Sequence, residues 1–405
     1  MLSLSRYRRV AKGLIAKQLL FNMNYLGFSV PELESRGAIH TAREISQQPE
    51  LWQKVWHSVQ AEMPAIRDFL NTIEFKRIIL TGAGTSAFIG LSLRGIFQRK
   101  TGIITEAIST TDLVTHPRDY LHPSIPTLLI SFARSGNSPE SVAVVAQADE
   151  LCGSCFHLII TCNAEGLLAK YESRNPKYVF LLPAEANDQS LAMTSSYTSM
   201  LLTGKLIACR ESLDTLGKSV AAIVKYAEKA ITFYADEIKR LAGLNFRRAV
   251  FLGNGPFYGT ATEGHLKLQE LTDGKVICKN DSFLGFRHGP KAVIDETTLV
   301  IYLFSNDKYS IRYEKDLVHS MKKGKRPLTE IGISETEVEG ISIDHSFTFS
   351  ENGFQVDEEL MAVCSIIPIQ LLGFYKSIQL GMKPDTPSET GAITRVVEGV
   401  TIYSI

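Results

Sequence analysis

Three polar residues in the second half of the chain are spaced so that one helix face would hold them all. Glu263, Lys267 and Glu270 lie four and three residues apart in a helix predicted at 260–273. A ladder of surface salt bridges usually explains such spacing, but leucines occupy much of the remaining helix. His288 follows in an Arg-His-Gly-Pro turn, and an imidazole titrates near neutral pH. A carboxylate and a histidine beside a bound sugar phosphate are the groups that ring opening and enolisation require.

Two turns in the first half of the chain have the composition of phosphate-binding loops. Residues 134–139 read Arg-Ser-Gly-Asn-Ser-Pro, which combines two hydroxyls, a flexible glycine and a proline suited to a helix start. Residues 82–86 read Gly-Ala-Gly-Thr-Ser and follow a neighbouring strand. Helix capping alone could explain either turn, but two such turns at the carboxyl edge of one parallel sheet favour an anion site. The candidate phosphate ligands are Thr85, Ser86, Ser135 and Ser138.

The remaining composition disfavours other classes of ligand. Position 87 is alanine where a dinucleotide fingerprint needs its third glycine, and no P-loop for a nucleoside triphosphate occurs. A formal net charge of zero predicts no general affinity for nucleic acid or an acidic membrane, and no apolar run approaches the ~18 residues of a membrane span. Cys152, Cys155 and His157 resemble a zinc site only faintly, because alternating strand residues do not converge on one ion. No metal or cofactor is expected.

The elements that must position these residues form an internal repeat. The segment 76–86 returns at 247–257, and 127–130 returns at 298–301 with the same shift of 171 positions (76 to 247, 127 to 298). A shift kept over such a distance indicates two copies of one unit. Short apolar strands alternate with helices in both copies, which predicts parallel sheets covered on both faces. The first copy contains the anion-binding turns, and the second contains the acidic helix and the histidine.

The chain is therefore expected to divide into five segments. A single helix across 216–241 should join the two copies. The basic start has some likeness to a transit peptide but lacks its serine-rich body, so a basic arm is favoured. The predicted segments are a weakly ordered leader at 1–40, a helical segment at 41–75, a phosphate-binding unit at 76–215, a catalytic unit at 216–395 and a tail at 396–405.

Five motifs in order along the chain resemble the sugar isomerase (SIS) superfamily with two SIS domains. Within it, the chain is most similar to the group of galactosamine-6-phosphate deaminases and tagatose-6-phosphate ketose/aldose isomerases. The resemblance runs from about residue 40 to the end, and it implies two tandem SIS domains with a flavodoxin-like three-layer arrangement. The matching motifs are 79–90, 131–142, 192–196, 286–291 and 384–388.

The resemblance implies a role for each matched residue. Thr194 and Ser195 would touch sugar hydroxyls, and the backbone of Arg134 would join the four hydroxyl residues in holding the phosphate. Glu270 would move a proton between C2 and C1, while Glu263 would support the same helix face. His288 would open the ring, and a neighbouring subunit would supply it in a homodimer or a dimer of dimers. The isomerase half of glucosamine-6-phosphate synthase, which belongs to the same superfamily, has a serine at the position of Ala133 and a lysine at that of Ala392. One phosphate donor and one tail cation therefore differ here, and Arg395 is the nearest tail cation.

Three functions remain open at this level. The first is deamination of galactosamine 6-phosphate to tagatose 6-phosphate and ammonia through an enolamine. The second is aldose–ketose isomerisation of a hexose 6-phosphate without loss of ammonia, and the third is a sensor that binds a sugar phosphate without turnover. Glu270 and His288 together favour an enzyme, and the likeness to an amino-sugar group favours deamination. Six cysteines scattered among apolar residues predict a soluble, cytoplasmic protein.

Overall fold

Two parallel five-stranded sheets form the framework of this protein, whose computed structural model describes residues 24–351, 353–397 and 399–405. A short antiparallel hairpin precedes them, with strands β1 (Asn24–Tyr25) and β2 (Phe28–Ser29). The first sheet consists of β3 (Arg77–Thr81), β4 (Ile104–Ala107), β5 (Thr127–Ala133), β6 (Cys155–Thr161) and β7 (Lys177–Leu181). The second consists of β8 (Arg248–Gly253), β9 (Ile277–Asp281), β10 (Thr298–Leu303), β11 (Thr329–Ser334) and β12 (His345–Thr348).

The two sheets have the same topology. The first runs β4-β3-β5-β6-β7, and the second, read from its opposite end, runs β9-β8-β10-β11-β12. Arg77 pairs with Thr127 in the first sheet, and Arg248 pairs with Thr298 in the second. Both pairs differ by the 171 positions of the sequence repeat, so the predicted pair of flavodoxin-like units is confirmed.

Helices cover both faces of each sheet. Those at the amino-terminal side and in the first unit are α1 (Val30–Ser35), α2 (Ile39–Ser46), α3 (Gln48–Asn71), α4 (Thr85–Thr101), α5 (Thr110–Thr115), α6 (Pro117–Tyr120), α7 (Pro139–Leu151), α8 (Leu167–Lys170) and α9 (Ser195–Ala208). Those that follow are α10 (Gly217–Thr232), α11 (Ala235–Ala242), α12 (Pro256–Leu271), α13 (Phe283–Phe286), α14 (Ser310–Met321), α15 (Glu358–Ser365) and α16 (Ile367–Gln379). One continuous apolar core extends between the sheets, and each sheet has a smaller core on its outer face.

The two units meet through equivalent helices. Helix α4 of the first unit packs against α12 of the second, and the hydroxyl of Ser92 donates to Pro256 O at 2.7 Å. Gly259 faces Phe88, which is its own equivalent in the first unit, and a Cβ at position 259 would lie 2.6 Å from Phe88 O. Contact between equivalent residues is the mark of a two-fold arrangement, so the repeat is packed like a symmetric dimer within one chain.

The carboxyl-terminal part of the chain fastens the start of the helical segment. The carboxylate of Asp385 accepts hydrogen bonds from the amides of His40 and Thr41, at 3.1 and 2.7 Å. Its backbone amide donates to Gly37 O, and its carbonyl accepts from Leu191 N. Asp385 therefore caps α2 across the molecule and joins it to the loop before α9.

Three features differ from the sequence-based expectations. Residues 24–40, placed within the weakly ordered leader, form the hairpin and the first helices; the remainder of that leader lies outside the described residues. The helix expected at 216–241 is two helices, because the chain turns at Phe233 and the buried Tyr234 donates its hydroxyl to Thr348 O. The segment Glu358–Gln379 is long and apolar enough for a membrane span, but 94% of its most apolar stretch is buried inside the protein, which is typical of a core helix.

Candidate functional site

The predicted phosphate turns lie at the topological switch point of the first sheet. Strands β3 and β5 are neighbours, while the connections that follow them lead to strands on opposite sides. Thr81 and Ser131 pair near the carboxyl ends of these strands, so the turns after them share one edge. In open parallel sheets this crevice is where ligands bind.

Each turn leads directly into the start of a helix. Gly84 precedes α4 with φ +53°, a left-handed conformation that a side chain would disfavour, and Thr85 and Ser86 are buried at the start of the helix. Ser138 precedes α7, but its hydroxyl bonds to that of Ser141 at 2.6 Å and does not cap the helix amides. Both turns therefore place a helix start, with its favourable dipole, at the shared edge of the sheet.

The loop around Ser135 is held in place from the next strand. Asn163 donates its side-chain amide to Ser135 O at 2.9 Å, and Leu167 N donates to the side chain of Asn137 at 3.0 Å. Gly166 lies so close that a Cβ there would approach Ser135 O to 2.5 Å. These supports fix the backbone of the predicted phosphate loop before any ligand arrives.

The acidic helix face is confirmed as a connected and buried set. Lys267 Nζ lies 3.5 Å from Glu263 Oε1 and donates a very short hydrogen bond to Glu270. Glu263 and Lys267 are almost wholly buried, whereas the Glu270 side chain retains 18% exposure. Only Glu270 of the three can therefore reach a ligand from solvent without rearrangement of the helix.

Electrostatics divide the roles of the three groups. Burial raises the pKa of Glu263 to about 8; Lys267 and the neighbouring Thr85 oppose this, and Glu270 adds to it. Burial alone would lower the pKa of Lys267, but the charges of Glu263 and Glu270 raise it above its ordinary value. The set thus contains a charged Lys267–Glu270 pair beside a Glu263 carboxyl that is mostly protonated at neutral pH.

The acidic face adjoins the first unit. Thr85 of the phosphate turn neighbours the Glu263 carboxyl, although neither carboxylate oxygen has a well-formed hydrogen bond among the described residues. In the repeat, Glu263 is equivalent to Ser92 and Thr85 is equivalent to Pro256, each at a shift of 171 positions. Ser92 and Pro256 are in direct contact. The contact brings one predicted phosphate ligand beside the helix face that carries Glu270.

Arg134 links the phosphate loop to the tail. Its buried guanidinium donates to the carbonyls of Ser190 and Leu191 at 3.1 Å and to that of Arg395. Burial lowers the pKa of Arg134, while Asp188 and Glu270 act in the opposite direction. The Arg134 side chain is thus committed to protein carbonyls, and only its backbone is free for the phosphate role that the resemblance implies.

Asp188 was not singled out from the sequence, and Arg395 was noted only as the nearest tail cation. Arg395 donates to Asp188 O at 2.8 Å and to the Asn187 side chain at 2.7 Å. The Asp188 carboxylate accepts from the amides of Thr194, Ser195 and Ser196, which start α9. An acid several residues before a Thr-Ser-Ser helix start is the signal that could have indicated this cap.

The Asp188 cap occupies the backbone amides of the two predicted sugar ligands. Thr194 and Ser195 are fully buried, and their amides are used by Asp188. The Ser195 hydroxyl donates to Glu44 O and accepts from Gln47, both at 2.8 Å. The structure therefore gives this pair a part in holding α9, and their contact with sugar hydroxyls stays a prediction.

His288 makes no hydrogen bond or ion pair with the acidic face among the described residues of the chain. It is exposed in the turn after α13, where its amide donates to Gly285 O at 3.0 Å. Among the described residues, its imidazole makes no hydrogen bond or ion pair within the chain. The structure therefore brings the Thr85 turn and the acidic helix together, and among the described residues no hydrogen bond or ion pair joins the His288 imidazole to either.

Comparisons with known proteins define the class and then the family. The SIS domain model matches residues 73–210, which contain β3 to β7 and both predicted phosphate turns. The D-galactosamine-6-phosphate deaminase AgaS of Shewanella sp. strain ANA-3 is 41% identical over 382 residues, covering 93% of this chain and 94% of its own length. The protein of that name from Escherichia coli is 37% identical, with 90% and 95% covered. The fold and the matched segment therefore define a SIS-domain protein.

A solved structure agrees with this class. The crystal structure of tagatose-6-phosphate ketose/aldose isomerase from Escherichia coli superposes with a TM-score of 0.81 at 35% identity, covering 90% of this chain and 96% of its own. The sequence identity extends over nearly the full length of both this chain and the Escherichia coli protein, so the two are related along their whole length. The chain belongs to the AgaS family of D-galactosamine-6-phosphate deaminases.

Proposed function

We propose that this protein deaminates galactosamine 6-phosphate to tagatose 6-phosphate and ammonia. The observation that carries the proposal is the contact between the two halves, where Thr85 of the phosphate turn adjoins the helix face of Glu263, Lys267 and Glu270. A phosphate held by the first unit would leave the sugar carbons over the second. The names of the relatives at 37–41% identity supply the identity of the substrate.

In the proposed reaction, the phosphate anchors the substrate while His288 helps to transfer the C1 hydroxyl proton to the ring oxygen and open the ring. Glu270 then removes the C2 proton while the C1 oxygen takes up a proton, which leaves an enolamine. Glu270 returns its proton to C1 as the nitrogen gives up a proton to solvent. The product of that step is an imine at C2. Water adds to the imine carbon, the C–N bond breaks, and ammonia leaves as the ketose forms. Lys267 holds Glu270 in place as its charged partner.

Isomerisation without deamination is the second candidate, and one comparison favours it. The solved Escherichia coli structure is described as a ketose/aldose isomerase, although it is similar over nearly its whole length. The same proton transfer between C2 and C1 would serve a 2-hydroxy sugar, which gives the ketose with no ammonia. Galactose 6-phosphate and galactosamine 6-phosphate therefore need to be compared directly as substrates.

The deciding experiment measures ammonia and ketose from both substrates with purified protein. We expect ammonia from the amino sugar in equal amount to ketose, and a Glu270→Gln variant that binds substrate but loses about 10²- to 10⁴-fold in turnover. Glu228→Gln, an exposed change on α10, is the matched control and should keep wild-type turnover. Ketose from galactose 6-phosphate without ammonia from the amino sugar would replace deamination by isomerisation, and full turnover in Glu270→Gln would remove the assigned base.

The exposed position of His288 supports a homodimer in which each subunit completes the other's site. In one chain the imidazole has no partner among the described residues, whereas Glu270 is paired and partly buried.

We also place the enzyme in the cytoplasm, because all six cysteines are free and five of them are buried.

A further inference from the structure

A buried carboxylate occupies the switch point of the second sheet. Glu314 of α14 is fully buried, and its two oxygens accept from Ser305 N at 2.9 Å and from the Asn254 side-chain amide at 3.0 Å. Ser305 follows β10 and Asn254 follows β8, the pair of neighbouring strands that correspond to β5 and β3. Glu314 thus bridges the two turns that in the first unit are predicted to hold phosphate.

The backbones of the two crevices match closely. Gly84 and Gly255 have φ +53° in both units, with ψ −128° and −126°. Helix α7 begins at residue 139 and α14 at residue 310, which again differ by 171 positions. With this shift, Ser305 corresponds to Arg134, whose backbone is a predicted phosphate ligand, and Glu314 corresponds to Ala143. The backbones therefore match, and the second unit has a buried carboxylate where the first has Ala143.

The electrostatic surroundings of Glu314 disfavour a second phosphate in the same place. Burial raises the pKa of Glu314 to about 7, the hydrogen bonds from Ser305 and Asn254 oppose this, and the charges of Glu358 and Asp307 add to it. Glu358 itself accepts a very short hydrogen bond from the Ser305 hydroxyl. A dianion arriving here would meet these carboxylates.

The hydrogen bond between Glu314 and Asn254 is connected to the segment that carries His288. Asn254, held by Glu314, accepts from Phe283 N at 3.1 Å through its side-chain oxygen. Phe283 is the first residue of α13, and His288 follows that helix by two residues. Asn254 also lies two residues before α12, which carries Glu270. One buried carboxylate thus connects the starts of both segments that the proposed reaction uses.

We propose that Glu314 takes the place of a ligand anion in the second unit and acts as a positioning residue for the His288 turn. In the first unit the crevice is left open for the substrate's phosphate, and in the second it is filled by the protein's own carboxylate. The effect on turnover rests on the proposed function, whereas the occupation of the crevice does not.

Chemical rescue tests the occupation. Glu314→Ala removes the carboxylate and leaves space for a small one, so the variant should melt several degrees below the wild type. Sodium formate should restore about half of that loss relative to sodium chloride at equal ionic strength. Leu317→Ala, a buried truncation on the same helix, is the control and should gain nothing from formate. A folded Glu314→Ala variant that is indifferent to formate would overturn the occupation of the crevice.

The positioning role is tested by steady-state kinetics of Glu314→Gln. This variant keeps the side-chain volume and one hydrogen-bond acceptor, and it can be used even if the alanine variant does not fold. We expect kcat to fall about tenfold with little change in KM, because the phosphate turns of the first unit are untouched. The double variant Glu314→Gln/His288→Ala should then be no slower than His288→Ala alone. Effects that multiply would contradict positioning through His288. If the wild type releases no ammonia, the proposed function fails, and the formate experiment still decides the occupancy of the crevice.

Discussion

Glu263 is the residue whose chemistry depends most on its surroundings. Its carboxyl is buried at the contact between the two units, and Lys267, its nearest cation, forms a shorter bond with Glu270. The sequence placed Glu263 on the right helix face, because periodicity alone decides which residues share a face. The sequence could not show that Thr85, on another helix far along the chain, would adjoin it.

We predict that Glu263 makes stability fall as pH rises. Its pKa in the folded protein is raised from 4.5 to about 8, so the folded state keeps a proton that the unfolded state releases between these values. Unfolding by urea at pH 5 and pH 8 should therefore show Glu263→Gln gaining stability relative to the wild type by up to a few kcal/mol at the higher pH. Glu228→Gln, an exposed control, should show no such trend. Parallel pH profiles for the wild type and Glu263→Gln would contradict the buried, protonated state.

At the scale of elements, the close crossing of α4 and α12 fixes how the two halves of the site face each other. Gly259 packs against Phe88 O and Ser92 so closely that a side chain has no room. This crossing sets the distance between the phosphate turn at the start of α4 and the acidic face of α12.

We predict that Gly259→Ala destabilises the protein by about 1–3 kcal/mol or more, because the added Cβ would have to separate the two helices. Urea unfolding measures the loss, and KM for the sugar phosphate should rise with it if the crossing also sets the site. Gly217→Ala is the matched control, since its Cβ would lie 3.7 Å from Trp56 in ordinary contact. Equal stability of the two variants would show that the helices can separate without cost.

The sequence predicted the strands with apolar runs, including the edge strands β7 and β12, and it missed the other edge strand of each sheet. Strands β4 and β9 each begin with an exposed isoleucine, Ile104 at 66% and Ile277 at 62%, and their polar residues give no continuous apolar run. The turn at Phe233 was missed because apolar residues continue with helical spacing through it. The contact between Arg134 and Arg395 joins residues far apart in sequence, and one sequence contains no signal for such a pair.

At the scale of the whole molecule, the two units have diverged in what fills their crevices. The shared topology and glycine conformations come from the repeat. The second unit has Glu314 between its two turns, and the equivalent residue of the first unit is Ala143. The proposed site also requires a histidine near Glu270, and His288 has no hydrogen bond or ion pair within its chain among the described residues.

We predict that two inactive variants restore activity when mixed. Glu270→Gln retains His288, and His288→Ala retains Glu270, so a mixed dimer with shared sites contains one intact site. Random exchange of subunits should recover about a quarter of the wild-type activity per site, measured after co-refolding or co-expression. Each variant refolded alone is the control. No recovery, in a mixture shown by mass to contain mixed dimers, would place both residues in the same subunit's site.

The bond between Asp385 and the start of α2 ties together two regions that are far apart along the chain. A protease cut in the segment after α16 would consequently remove the cap from a helix that forms near the other end. The same cut would free the amide of Leu191, whose carbonyl accepts a hydrogen bond from Arg134. Loss of the carboxyl-terminal segment would therefore loosen the residues that hold Arg134 and, through it, the phosphate loop. Truncation after α16 is expected to have the same effect as a substitution within that loop.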